Sequence, residues 1–172
     1  MSSNITFKMP NPGIDAELFV SDLSPHLSQG LWDSLEIEIG ENEIALIAVN
    51  ATYGNVEWIA DSLKDNNIPF DMAWEDCMDH GPGVRYGRIV DGTYQAQTNW
   101  LDFERDDLVS PEYILSQLDT GNVDKLRERC EKLRDLYGIP GGQAISTLSL
   151  DRESLDSWMS FMKEEDDMEM SP

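Results

Sequence analysis

The sequence predicts an α+β protein. Its parts are a small mixed β-sheet (a hairpin, a βαβ crossover and a second hairpin), then two to three helices and an acidic C-terminal tail. Three observations predict this. Strict alternation at Leu35-Glu36-Ile37-Glu38-Ile39 has the period of a half-buried strand. Val56, Ile59, Ala60 and Leu63 fall at i, i+3, i+4 and i+7, one apolar helix face between two strand-like runs. Strands cluster early and helices late, which favours α+β over a repeating α/β layout.

Taken in order, residues 1–13 hold Pro10, Pro12 and Gly13 and are expected to form a flexible arm. Ser24-Pro25 has the signature of a helix N-cap and first turn, followed by Leu27, Leu31, Trp32 and Leu35 at helical spacing. Residues 35–39 and 43–49 flank Gly40-Glu41-Asn42 and predict a hairpin. The helix at 55–66 leads to a strand at 68–74, which predicts a parallel, right-handed crossover. Residues 84–90 and 93–100 flank Asp91-Gly92, the favoured two-residue turn of a hairpin. Ser110-Pro111 opens a helix to about Leu118, and Asn122 opens another to about Tyr137. Pro140-Gly141-Gly142 interrupts the chain. Leu155, Trp158, Met159 and Met162 mark a last amphipathic helix. One domain is expected over 14–163, with 164–172 a disordered acidic tail.

The charge is the most informative feature for function. The chain of 172 residues holds 34 Asp and Glu against 12 Lys and Arg, a net of −22. Direct binding of nucleic-acid phosphates needs basic surface, and this composition opposes it. A basic membrane-surface peptide is excluded on the same ground. Full disorder is excluded by a 40% hydrophobic content with five each of Trp, Tyr and Phe. The first residues lack a basic region followed by an apolar run, no segment is long and apolar enough to cross a membrane, and Cys77 and Cys130 suggest free thiols. The expected location is the cytoplasm, or the host cytoplasm if the gene is a phage's.

The acids are unevenly placed. Residues 1–80 carry a net of −13, residues 81–150 a net of −3 and residues 151–172 a net of −6. Lys64 is the only base between residues 9 and 84. On the helix at 55–66, Glu57, Asp61 and Asp65 follow each other at i, i+4 steps, where like charges cost ~0.2–0.5 kcal/mol per pair. On the strand, Glu36 and Glu38 share the face opposite Leu35, Ile37 and Ile39, and Glu41 and Glu43 continue the row around the turn. A coat serving solubility needs a net charge of only ~2–8. Acids ordered in rows against their own repulsion point to a surface that faces a basic partner.

Other chemistry finds little support. Cys77 and His80, preceded by Asp71, Glu75 and Asp76, have the spacing of half a zinc site, but the other half is missing, because the only remaining Cys and His are Cys130 and His26, and the segment reads as an acidic loop containing one thiol. Gly81-Pro82-Gly83-Val84-Arg85 lacks the strand and helix context of a phosphate-binding loop and reads as a turn. Two histidines and no nucleophile elbow argue against covalent catalysis. No catalytic, cofactor-binding or metal-binding residue is assigned. Val123, Leu126, Cys130, Leu133 and Tyr137 alternate steps of 3 and 4, a short coiled-coil seam open to packing within the domain or to a homodimer.

In charge density and in the acid rows at 15–79, though in no motif, the chain resembles the acidic DNA-mimic inhibitors that phages and plasmids make. Those inhibitors act against restriction, CRISPR or other host DNA-binding machinery. The resemblance implies a non-enzymatic inhibitor that occupies the nucleic-acid-binding surface of a basic protein. The contact residues expected are Glu36, Glu38, Glu41, Glu43, Glu57, Asp61 and Asp65, with Asp15, Glu17, Asp22 and Asp33 in reserve, each standing in for a phosphate. The alternatives are an acidic immunity or adaptor protein that neutralises a basic partner without mimicry, and a small enzyme or metal protein.

Overall fold

The computed structural model describes residues 3–51, 53–75, 81–100 and 111–169. At its centre is β1 (Ser3–Pro10), in the segment expected to be a flexible arm. Ile5, Phe7 and Met9 alternate with polar Asn4, Thr6 and Lys8 and are completely buried. Pro10 ends the strand, where its missing N–H costs no ladder bond. A central strand therefore replaces the arm, because its apolar face lines the core.

β1 is flanked by β3 (Glu43–Ala51) and β4 (Phe70–Trp74), each antiparallel to it. β2 (Leu35–Ile39) pairs with β3, and β5 (Gly83–Val90) and β6 (Thr93–Trp100) extend the other side. The six strands run in the order β2-β3-β1-β4-β5-β6. This corrects the expected mixed sheet. β3 and β4 do run parallel to each other, joined by α3 (Tyr53–Asp65), but β1 lies between them and every neighbouring pair is antiparallel. Both predicted hairpins are present. Asp91 and Gly92 have φ of 51° and 78°, the left-handed pair that lets two residues join twisted strands.

One sheet face is covered by helices. Ile5, Phe7, Met9, Ile44, Leu46, Phe70 and Met72 point to it and meet Val56, Ile59, Ala60 and Leu63 of α3. Ahead of β2, the helix expected from Ser24 is differently built. α1 (Ala16–Leu23) precedes it, capped by Asp15, which accepts from the Leu18 N–H at 2.8 Å, and buries Phe19 and Leu23. Ser24–His26 is one 3-10 turn, and Ser28 caps the short α2 (Gln29–Asp33). Leu27 is buried and Leu31, Trp32 and Leu35 pack against the core, but they do not share one helix: Leu27 follows the 3-10 turn, Leu31 and Trp32 lie on α2 and Leu35 belongs to β2.

The last helix, α6 (Arg152–Glu169), buries Leu155, Trp158, Met159 and Met162. Its backbone runs to Glu169, into the segment expected to be an unstructured tail. On the opposite sheet face a strap through Ile145 crosses β1 and β5 and is tied down by Arg88. Arg88 is 1% exposed. It donates to the Asp71 carboxylate at 2.6 Å and to the carbonyls of Phe70 (2.8 Å), Gly87 (2.9 Å) and Gln143 (3.0 Å). Burial raises the Asp71 carboxyl above its ordinary value, and the Arg88 hydrogen bond and charge pull it part of the way back. Among the described residues no helix is long and apolar enough to cross a membrane.

Candidate partner-binding face

The helical layer is organised by α6. Asp151 caps it, accepting from the Ser154 N–H at 2.7 Å and from the Ser154 hydroxyl at 3.1 Å. These bonds hold the Asp151 carboxyl below its ordinary value of 3.8. Because the folded value is the lower one, the cap contributes in full above 3.8 and is lost as the pH falls through the folded value. Asp151→Ala is therefore expected to lower the unfolding temperature near neutral pH. The difference from the unsubstituted protein should shrink as the pH is taken down through the acid range in parallel thermal melts.

α6 is joined to α3 on one side. Trp158 Nε1 donates to Ser62 Oγ at 2.9 Å, and that hydroxyl donates to the Ile59 carbonyl at 2.6 Å. On the other side it is joined to α1, where Arg152 donates to Asp22 at 3.0 Å while its Nε donates to Asp156 at 2.9 Å. α1, α6 and α3 thus lie side by side across one face of the sheet. With their apolar sides inward, they present Asp15, Glu17 and Asp22 from α1, Glu153 and Asp156 from α6, and Glu57, Asp61 and Asp65 from α3. All of these are exposed except Asp22 and Glu57, which are half-buried. A concavity of about 570 Å³ lies along this face between α3 and α6, lined by Asn66, Glu153, Asp156, Ser157, Ser160 and Phe161.

The two expected rows of acids do not form one surface. Leu35, Ile37 and Ile39 pack toward the helices, so Glu36 and Glu38 project from the opposite sheet face. Glu43 lies on that opposite face too, 3.8 Å from Lys8, and Glu41 stands in the turn. Asp33, at the end of α2, accepts from the Gln29 side chain at 2.7 Å. The α3 row joins the reserve acids of α1 instead. What links them is α6, whose Glu153 and Asp156 the charge pattern did not single out. Their spacing of three, opposite Leu155, Trp158 and Met159, was the available signal.

Nor is the α3 row without cations. Arg85 rises from β5, stacks 6.0 Å over the Phe70 ring, and reaches Asp61 at 3.2 Å and Glu57 at 4.0 Å. Its side chain is 13% exposed, so it supports the two carboxylates from beneath and leaves their outer edges to solvent. This also accounts for the loop at 81–85. Gly81 accepts from Trp74 Nε1 at 2.9 Å, Gly83 lies under the Trp74 ring, and Arg85 is occupied by internal ion pairs. Among the described residues Glu17, Asp65 and Glu153 have no ion-pair partner.

The Cys77-His80 segment lies outside the described residues. Asp71 is committed to Arg88, Cys130 sits on α5 (Val123–Tyr137), and His26 sits in the turn against α6. Among the described residues no three His, Cys, Asp or Glu are grouped to hold a metal. Compared with known proteins, the chain matches no family model, no curated protein and no solved structure.

Proposed function

We propose that the protein is a non-enzymatic acidic inhibitor that docks its helical face on the basic nucleic-acid-binding surface of another protein. Its carboxylates stand where phosphates would stand, and the class of role is that of a DNA mimic from a phage or mobile element acting in the host cytoplasm. The target class is a defence protein of the restriction or CRISPR kind. The observation that carries the reading is the α1-α6-α3 face. It gathers eight carboxylates from three separate stretches of sequence on one rigid layer, and among the described residues its outward cations are Lys64 and Arg152.

Rigidity matters because the cost of gathering like charges is met during folding, by the core beneath them and by Arg85 and Arg152 between them. A basic groove then meets acids already held in place, and each bond from Arg or Lys to a carboxylate is worth about 1.5–3 kcal/mol. Such binding depends strongly on salt, since the screening length falls from ~10 Å at 0.1 M to ~3 Å at 1 M. The immobilised protein is expected to retain basic nucleic-acid-binding proteins from a host lysate at ~0.1 M salt and release them at ~1 M. Retention of nothing basic at low salt would contradict the proposal.

A further inference from the structure

We infer that the outer edge of β2 is a strand-addition site, and that it takes an extended segment of a partner protein in which apolar and basic residues alternate. β2 ends the sheet on its side, and half of its backbone is left without a strand to bond. At one end of the β2–β3 pair the Ser34 carbonyl accepts from the Val49 N–H at 2.8 Å, and at the other the Gly40 N–H donates to the Glu43 carbonyl at 2.8 Å. Bonding alternates along an antiparallel ladder, so Glu36 and Glu38 turn their N–H and C=O groups to β3, while Leu35, Ile37 and Ile39 turn theirs outward. Among the described residues nothing bonds to those outward groups. The side chains are open in the same way. Leu35, Ile37 and Ile39 are only half-buried, whereas Ala48, Leu46 and Ile44 opposite them on β3 are buried. An added strand with apolar residues on this face covers them and extends the core by one strand.

The acids select the occupant. Glu36 and Glu38 stand on the other face of β2, ~6.8 Å apart, the repeat of side chains along any extended segment. Because Leu35, Ile37 and Ile39 make the outward bonds, an antiparallel newcomer meets Glu36 and Glu38 at non-hydrogen-bonded positions, where side chains approach most closely. Among the described residues neither carboxylate has an ion-pair partner. Lys8 lies in the row of Glu38 and Ala45, but two strands in (about 10 Å by strand spacing), and it pairs with Glu43 at 3.8 Å. Asp33 before the strand and Glu41 after it add acid at both ends. A second copy does not fit. Its β2 brings acids against acids, and its other outer strand, β6, carries no charged residue. The hairpin of α4 (Pro111–Asp119) and α5 is also partly exposed, but acids and bases mix along it and select nothing. At β2, Lys or Arg on alternate residues of the newcomer answers both carboxylates while its backbone completes the ladder. The ladder supplies affinity and the side chains supply choice. Glu36 and Glu38 face away from the helices, so this is a second site, for a partner other than the one proposed for the helical face.

The test is fluorescence anisotropy of labelled peptides with blocked ends, titrated with the full chain at ~0.1 M salt. A peptide alternating Val and Lys should bind, and one with the same residues sorted into two blocks should bind at least about tenfold more weakly. A basic peptide also meets acids elsewhere, so the decisive arm reverses the charges. Glu36→Lys with Glu38→Lys should weaken the Val-Lys peptide at least about tenfold and should bind a peptide alternating Val and Glu, which the rest of this acidic chain repels. Ile37→Pro removes an outward N–H without breaking a bond to β3, and should weaken the Val-Lys peptide at least about tenfold. Circular dichroism checks that each variant keeps its sheet, and the gain of the Val-Glu peptide is a change that unfolding would not produce. Neutralising Glu17, Asp65, Glu153 and Asp156 on the helical face should leave the preference for alternation unchanged, which keeps this result separate from that of the helical face. Equal binding of the alternating and blocked peptides overturns the inference, as does failure of the reversed pair to bind the Val-Glu peptide.

Discussion

Arg88→Ala is expected to cost about 3–5 kcal/mol, the usual consequence of removing one partner from a buried ion pair. The substitution strands more than a charge. The Asp71 carboxylate loses its 2.6 Å partner, and the carbonyls of Phe70, Gly87 and Gln143 lose a donor. The Gln143 bond also ties the strap to the sheet, so its loss frees a covering segment as well as a side chain. Asp71→Asn should cost less, because that side chain is 27% exposed and its amide can still accept a bond. Against a total stability of ~5–15 kcal/mol, the arginine variant should show a large drop in the midpoint of urea unfolding. A loss below ~1 kcal/mol would mean that water reaches the site and solvates both groups.

The second large effect concerns the acidic face. Neutralising Glu17, Asp65, Glu153 and Asp156 to their amides removes four carboxylates on three helices and leaves the core untouched. If each accepts a bond worth about 1.5–3 kcal/mol from a basic partner, losing the set should weaken binding by several orders of magnitude. It should also slow association, since steering depends on the summed field. Neutralising Glu36 and Glu38 on the other side of the sheet, with Glu41 in the turn beside them, removes nearly as much charge from outside the helical face. That set should reduce the association rate modestly and leave dissociation almost unchanged. The contrast separates a located face from a diffuse excess of charge.

Much of the fold was legible because local patterns and tertiary packing agree. Leu35 to Ile39 alternates and has one buried side. Asp91-Gly92 supplies the left-handed pair that its hairpin needs. Val56, Ile59, Ala60 and Leu63 point to the core as their spacing requires. β1 was missed although Ile5, Phe7 and Met9 alternate equally well, because Pro10, Pro12 and Gly13 beside it suggested an arm. Proline at the last position of a strand breaks no ladder. α1 was missed because Ser24-Pro25 reads as the helix start in this stretch, whereas Asp15 is the residue whose side chain caps α1. The strand order had no local signature. Only the sheet shows that β1 enters between the strands that α3 connects.

The candidate face was half legible. Rows of acids can be read on single elements, but whether two rows share a surface depends on which way each element's apolar side turns. Ile37 turns β2 so that Glu36 and Glu38 face away from the helices. Trp158 and Arg152 turn α6 so that Glu153 and Asp156 complete a face with α1 and α3. Arg85, distant from α3 in sequence, was not readable as the cation beneath Glu57 and Asp61.

The central claim is that the acidic face occupies a nucleic-acid site, and competition tests it most directly. A captured basic partner would be bound to labelled duplex DNA and titrated with this protein at fixed ionic strength. Mutually exclusive binding is expected, with the duplex released as the protein binds and no complex containing all three. The amide variant of Glu17, Asp65, Glu153 and Asp156 should fail to displace it. A stable complex of partner, duplex and this protein would contradict the account.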